Sequence, residues 1–95
     1  MTRTLRAAQS EEYQYVRLDD PATYFYTFDL GCAAALISGG FELVSLDKEN
    51  PRKVQFIFKR KVGIDEIVND YFSDKLKVKA RTLFDNIKML KKQDL

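Results

Sequence analysis

The fold of this chain is decided by residues 41–59, which read FELVSLDKENPRKVQFIFK. Every second residue from Val54 to Phe58 is apolar, and the intervening positions are polar except for Ile57. A period of two is typical of a strand that buries one face. Residues 48–52 are polar and contain a proline, so they favour a turn. The stretch therefore predicts an antiparallel hairpin with strands at 41–47 and 53–59.

Apolar side chains occupy both faces of this predicted hairpin. One face carries Phe41, Leu43, Val54, Phe56 and Phe58, and we expect it to form the core. The other carries Val44, Leu46 and Ile57. An exposed face of this kind must be covered by helix 28–38, by a second copy of the chain or by a partner. The hypothesised partner or dimer surface is therefore Tyr24, Tyr26, Val44, Leu46 and Ile57, the two tyrosines lying on one face of a neighbouring strand.

Upstream of the hairpin, residues 24–27 are aromatic and β-branched, which suits a strand, and residues 13–18 could form another. Thr27 is predicted to cap a helix over 28–38 that is apolar nearly all round and should be buried. Gly39-Gly40 ends that helix, with one of the two glycines in a left-handed conformation.

Downstream of the hairpin, Gly63 breaks the chain, and apolar residues then recur at helical spacing from Ile64 to Phe72. A last helix is predicted from about Val78 to about Lys92, with Ala80, Leu83, Phe84, Ile87 and Leu90 on its buried face. The predicted core combines the apolar phases of three elements: Val54, Phe56, Phe58, Ile67, Phe72, Leu83, Phe84 and Ile87.

These elements predict an α+β fold, a small mainly antiparallel sheet with helices packed on it, in the order (β)β-α-β-β-α-α. Residues 1–12 are expected to be a mobile N-terminal arm, and residues 13–95 a single domain. No stretch is apolar for the roughly 20 residues that span a bilayer, and no secretory signal is present. The chain is therefore expected to be a cytoplasmic protein without a membrane role.

Composition excludes much chemistry. The chain has 95 residues, no histidine and one cysteine. It therefore has no Ser-His or Cys-His pair, no disulfide and no ordinary zinc site. Cys32 is expected to be a buried small apolar residue. A metal-dependent nuclease needs converging carboxylates, and the closest arrangement, Asp47 beside Lys59, has no second acid. We predict no catalytic residues, no metal and no cofactor.

The basic residues are unevenly distributed. Residues 1–48 hold 4 Lys and Arg against 7 Asp and Glu, net −3, whereas residues 49–95 hold 12 against 7, net +5. A nucleic-acid interface on this half is one hypothesis, and a solvated surface is the other. The residues predicted to carry such a contact are Lys53, Lys59, Arg60, Arg81, Lys88 and Lys92. Asp85 lies within the helical stripe of the last three and is expected to pair with Arg81 and Lys88.

Several segments together resemble a known family. They are Thr27-Phe28-Asp29-Leu30, Ala33-Ala34-Ala35-Leu36, Gly40-Phe41-Glu42-Leu43, Val54-Gln55-Phe56-Ile57-Phe58 and the closing Val78…Leu83-Phe84…Leu90-Lys91. The chain resembles, over about residues 24–95, a family of short bacterial and phage-encoded domains of unknown function. The resemblance implies the same order of elements and a phage or mobile-element setting. It implies no activity.

The expected function is that of a small non-enzymatic binding module acting through protein–protein contacts, as an inhibitor, adaptor or assembly component. Its partner would be another protein or a second copy in a homodimer. The alternative, from a different class, is a nucleic-acid-binding accessory protein that uses the basic C-terminal half on DNA or RNA. Binding that weakens steeply with added salt would favour the alternative.

Overall fold

A computed structural model describes residues 4–6, 15–17, 20–50 and 52–94. In chain order the elements of these residues are β1 Thr4–Arg6, β2 Tyr15–Arg17, β3 Tyr24–Thr27, α1 Leu30–Ser38, β4 Leu43–Asp47, β5 Gln55–Lys59, α2 Ile64–Phe72 and α3 Ala80–Asp94. From β3 onward the order is β-α-β-β-α-α, with the helices packed on one antiparallel sheet. The predicted α+β class and element order are confirmed.

The first two strands pair antiparallel with each other, Leu5 lying opposite Val16. The strand expected within residues 13–18 is thus present as β2. Strand β1 falls inside the segment expected to be a mobile arm, residues 1–12, and is hydrogen-bonded rather than irregular. The rest of that arm lies outside the described residues.

The main sheet has the strand order β3-β5-β4, with β5 antiparallel to both neighbours. Strands β3 and β4 are therefore parallel to each other, and β5 is inserted between them. The unit β3-α1-β4 is a split β-α-β unit. On the core side, Phe25 and Leu43 flank Phe58 from the two neighbouring strands. This face carries the helices, since Phe56 and Phe58 are buried against α1 and α3 residues.

A β-bulge in β4 changes the predicted face of one residue. Leu43 pairs with Phe58 and Ser45 with Ile57, so Val44 is the extra residue. An inserted residue reverses the inward and outward alternation beyond it. Leu46 accordingly packs in the main core with Leu43, and its assignment to the outer face with Val44 was wrong.

Helix α1 lies at the centre of the fold, and its residues Cys32 to Leu36 are fully buried, as expected. Its N-cap is Asp29, whose Oδ1 accepts a hydrogen bond from the Cys32 amide at 2.8 Å. Thr27 was predicted to cap the helix; instead its hydroxyl accepts from the Asp29 amide at 3.1 Å and orients the cap. Gly39 ends the helix, and Gly40 has the predicted left-handed φ, +91°.

Helix α2 occupies the predicted residues 64–72, after Gly63 at φ +93°. It ends at Ser73, followed by Asp74 in a left-handed conformation at φ 61°. Helix α3 packs mainly on α1. Its Asn86 amide donates to the Ser38 hydroxyl at 2.9 Å, which fixes the face that α3 turns toward α1.

The predicted core is confirmed for six of its eight residues. Phe56 and Phe58 are buried, and Val54, Ile67, Leu83 and Ile87 are partly buried and packed against them. The prediction was wrong for Phe72 and Phe84, which are 61% and 59% exposed. Phe72 is the last residue of α2. Phe84 lies beside the α3 stripe of Leu83, Ile87 and Leu90, and these three are the described α3 residues that pack in the core cluster.

Candidate functional site

The predicted partner surface on the outer face of the sheet is mostly inside the molecule. Ile57 is 1% exposed and Tyr24 7%, and with Tyr26 and Val44 they form a small second apolar cluster. Ile57 lies on the outer face, as expected from its phase, and is buried there within the molecule. No helix residue belongs to this cluster within the described chain, so covering of this face by helix α1, one of the three expected alternatives, does not occur. Tyr26 and Val44 are half-buried.

Arg60, one of the six cations predicted to contact nucleic acid, is held by the protein itself. Its Nε donates to the Pro21 carbonyl at 3.0 Å, and its Nη1 donates to both carboxylate oxygens of Asp65, at 3.0 and 2.9 Å. Its guanidinium carbon lies 5.7 Å from the centre of the Phe25 ring. These contacts make Arg60 a structural residue that joins β3, β5 and α2.

The other five predicted cations divide between two sides of the fold. Lys59 is the strand partner of Tyr24 and shares the outer face of the sheet, away from the helices. Lys53 lies over the exposed Phe28 ring, at 4.9 Å. Arg81, Lys88 and Lys92 are exposed on α3. The structure therefore does not bring the six residues into one basic surface.

Two of the α3 cations have neighbours on their own helix. Arg81 Nε lies 3.9 Å from Asp85 Oδ2, which is the pairing expected from their spacing. Lys88 Nζ lies 5.2 Å from the centre of the exposed Phe84 ring. Surface interactions of this kind are weak and leave the cations accessible to a ligand.

A shallow cleft of about 180 Å³ lies at the end of the sheet near Phe28. Its lining is mixed in charge: Phe28, Asp47, Glu49, Asn50, Lys53 and Gln55. Asp47 pairs with Gln55, whereas Lys59 pairs with Tyr24, so Asp47 and Lys59 are at opposite ends of β5. The arrangement of Asp47 beside Lys59, which was considered for metal-dependent chemistry, is not formed.

A larger groove, of about 410 Å³, lies between the helices. It is lined by the end of α1, by Ile67 of α2, by residues 76–79 between α2 and α3, and by Thr82 of α3. Its size falls in the range of ligand pockets, roughly 300–1,000 Å³. Most lining side chains are apolar or small. The charged residues of the lining are Lys77 and Lys79, both exposed. We refer to this feature as the helical groove.

The segment Lys75–Lys79 forms one wall of the helical groove. Exposed lysines at 75, 77 and 79 alternate with half-buried Leu76 and Val78, the pattern of a strand with one buried face. Leu76 donates its amide to the Asp70 carbonyl at 3.1 Å. The backbone groups of Lys77 and Val78 make no hydrogen bond to any described part of the chain. The alternation was visible in the sequence, but the groove depends on three separate elements.

Among the described residues, two side chains have clearly shifted pKa values, and both shifts oppose ionisation. Burial raises the pKa of the Cys32 thiol, with a smaller contribution from the Asp29 carboxylate. Burial and the same carboxylate raise the pKa of Tyr71, whose hydroxyl donates to Asp29 Oδ1 at 3.3 Å. Among the residues that the structure describes, no three acidic or cysteine side chains converge to bind a metal ion.

Within the described ranges, no helix combines the length and apolar character that crossing a membrane requires.

Comparison with known proteins gives one family. Residues 22–94 match the family described as Domain of unknown function (DUF5659). Neither a curated protein nor a solved structure matches the chain. The match begins just before β3 and ends with α3, so it covers the sheet, the three helices and the helical groove.

Proposed function

Because this chain belongs to the DUF5659 family, whose name records no function, we propose from its geometry that it is a small non-enzymatic binding module. In this proposal it acts through protein–protein contacts, as an inhibitor, adaptor or assembly component. We place it in the cytoplasm, since its single cysteine is buried and forms no disulfide. The phage or mobile-element setting implied by the sequence resemblance is part of the same proposal.

The helical groove is the observation that carries the proposal. An apolar floor formed by three elements, with lysines at its rim, matches the usual layout of a protein interface, an apolar centre bordered by polar residues. The outer face of the sheet offers less, because Tyr24 and Ile57 are already buried there. The proposed protein contact is therefore placed on the helical side of the molecule.

A non-enzymatic role agrees with the state of the titratable groups. Nucleophiles and general acids or bases usually have pKa values shifted toward the operating pH. The shifts of Cys32 and Tyr71 are both upward, which keeps the thiol and the phenol protonated and unreactive at neutral pH.

The second candidate is the nucleic-acid-binding accessory protein. Its support is the exposed cationic face of α3, where Arg81 lies about two helical turns from Lys88 and Lys88 about one turn from Lys92. The contribution of Arg81 is reduced by its pairing with Asp85. Each phosphate contact made by this face would make the slope of log affinity against log salt more negative by about one.

Affinity capture from native lysate, with and without nuclease, separates the two candidates. We expect wild-type protein to retain a stoichiometric protein partner after nuclease treatment. Val78→Asp, which places a charge on the groove wall, should release that partner, whereas the matched surface change Val62→Asp should retain it. Val62 is a fully exposed residue outside the groove.

Three results would count against the protein-binding proposal. They are loss of all captured material on nuclease treatment, a partner that Val78→Asp retains, and the absence of any stoichiometric partner. Light scattering of the purified chain tests whether the partner is a second copy, since a groove-dependent homodimer would dissociate in Val78→Asp.

A further inference from the structure

The backbone of residues 76–79 combines two properties that are uncommon in one segment. It lines an apolar groove, and Lys77 and Val78 leave their amide and carbonyl groups without hydrogen bonds to the described chain. Backbone groups of this kind are satisfied by water or by another strand. An extended peptide that pairs with such a segment gains main-chain hydrogen bonds and places alternate side chains in neighbouring pockets.

The positive charge of residues 75–79 favours a peptide that carries acidic side chains. Lys75, Lys77 and Lys79 are all exposed, and none of the described residues that line the helical groove is acidic. None of the three lysines takes part in an ion pair within the described residues. A peptide strand carrying acidic side chains toward solvent would meet these lysines, while its apolar side chains would face Ile67 and Val78.

We propose that the helical groove binds an extended, acidic peptide segment of a partner protein by strand addition along residues 76–79. This inference rests on the proposed function and specifies its partner. Apolar residues at alternate positions of the peptide enter the groove between α1 and α2. Acidic residues at the intervening positions face the lysines, and main-chain hydrogen bonds to the amide and carbonyl of Lys77, which lie on the same side of an extended strand, fix the register.

The test uses an octapeptide of alternating valine and glutamate, carrying a fluorescent label, and the full-length chain. Anisotropy is expected to show saturable binding, and amide chemical shifts in the isotope-labelled protein should change most at residues 76–79. A valine–lysine octapeptide of the same length, and a valine–glutamate octapeptide with methylated backbone nitrogens, are expected to bind at least about tenfold more weakly. The methylated peptide keeps the charges and apolar side chains but has no main-chain N–H donors. Its loss of affinity therefore measures the contribution of the main-chain hydrogen bonds.

A matched pair of variants tests the lysines. Lys77→Glu combined with Lys79→Glu should weaken the valine–glutamate octapeptide about tenfold or more. Lys61→Glu combined with Lys91→Glu changes net charge equally at exposed positions outside the groove, and should change affinity less than about threefold. Circular dichroism of both double variants checks that the fold is retained.

The outcomes separate this inference from the function on which it depends. Equal binding of the methylated and unmethylated peptides would overturn strand addition, and equal effects of the two double variants would overturn recognition by Lys77 and Lys79. If no octapeptide binds but Val78→Asp still releases a captured partner, the strand-addition inference is wrong and the protein-binding function stands. If no octapeptide binds and no groove-dependent partner is captured, both are wrong.

Discussion

At Gly31, the absence of a side chain allows Tyr71 of α2 to reach Asp29 at the start of α1. A Cβ atom at Gly31 would lie 2.0 Å from the Tyr71 hydroxyl oxygen and 3.0 Å from the carbon that bears it. The hydroxyl donates to Asp29, which also caps α1 through the Cys32 amide. Gly31 thus permits Tyr71 of α2 to contact Asp29, the N-cap residue of the more buried helix α1.

We predict that Gly31→Ala and the Tyr71 side chain are energetically coupled. In a helix, Gly→Ala normally stabilises by up to about 1 kcal/mol. Here the new methyl group must displace Tyr71, so Gly31→Ala should be neutral or destabilising in the wild-type background. In a Tyr71→Ala background the normal stabilisation should return. Urea unfolding of the four proteins measures the coupling, expected at about 1 kcal/mol, and an identical effect in both backgrounds would show that the ring does not constrain position 31.

Cys32 illustrates how burial controls chemistry at a single residue. Its raised pKa means that the folded state holds the thiol proton more strongly than the unfolded state. Stability from this group is therefore complete below the ordinary thiol pKa of about 8.5 and is lost as pH rises through the folded value. We predict that the urea midpoint falls above about pH 8.5, and that Cys32→Ala falls less over the same range. A midpoint that rises with pH, or falls equally in Cys32→Ala, would contradict this.

At the scale of the element, α3 shows which apolar residues a helix buries when several candidates are available. Leu83, Ile87 and Leu90 face the core, and Asn86 on the same side binds Ser38. Helix α1 has three consecutive alanines at its centre, and small side chains allow close approach over a narrow strip. Phe84 lies outside the strip and contacts Lys88 instead.

Two alanine variants compare the buried and exposed sides of α3. Leu90→Ala should cost about 2–4 kcal/mol, because Leu90 is fully buried. Phe84→Ala should cost less than about 1 kcal/mol, because the ring is mostly exposed and loses one cation–π contact. Chemical unfolding gives both values, and a larger loss in Phe84→Ala would mean that the helix is rotated from the face described above.

The same elements show what local sequence can and cannot predict. Helix α2 was predicted at its observed bounds because Gly63 and Ser73-Asp74 are local signals for a start and an end. The face of Leu46 was not predicted correctly, because the bulge at Val44 arises from the pairing of β4 with β5 and not from the sequence of β4 alone. The buried Ile57 and the helical groove likewise depend on tertiary neighbours. The part of the site that was predictable is the row of lysines between α2 and α3.

At the scale of the whole molecule, contacts distant in sequence close the fold at two places. Arg60 joins the residues before β3 to the start of α2 through Pro21 and Asp65. Lys48, in the turn between β4 and β5, donates its ammonium group to the carbonyl of Gln93 near the end of α3. The Pro21 contact continues the β3–β5 pairing, beside the bond from the Arg60 amide to the Thr23 carbonyl, whereas the Lys48 contact links segments that no strand pairing connects.

Two substitutions separate the contribution of the ion pair of Arg60 from that of its other contacts. Asp65→Asn removes an exposed ion pair and should cost no more than about 0.5 kcal/mol, with the loss shrinking in high salt. Arg60→Ala also removes the bond to Pro21 and the packing on Phe25, and should cost about 1–2 kcal/mol. Thermal unfolding at low and high salt measures both. Equal losses in the two variants would mean that the ion pair alone accounts for the role of Arg60.

The position of β5 between β3 and β4 has a consequence for the order of folding. Strands β4 and β5 are joined by a short turn, whereas β3 reaches β5 only after α1 and β4 have intervened. Closing the longer loop costs more chain entropy, so the β4–β5 hairpin should be present in the rate-limiting transition state before β3 docks. Stopped-flow kinetics should then show that Phe25→Ala mainly accelerates unfolding, whereas Phe56→Ala also slows refolding. Strand β3 would be the first strand to detach from the sheet. Because β3 pairs with β5, its detachment would transiently expose one edge of β5.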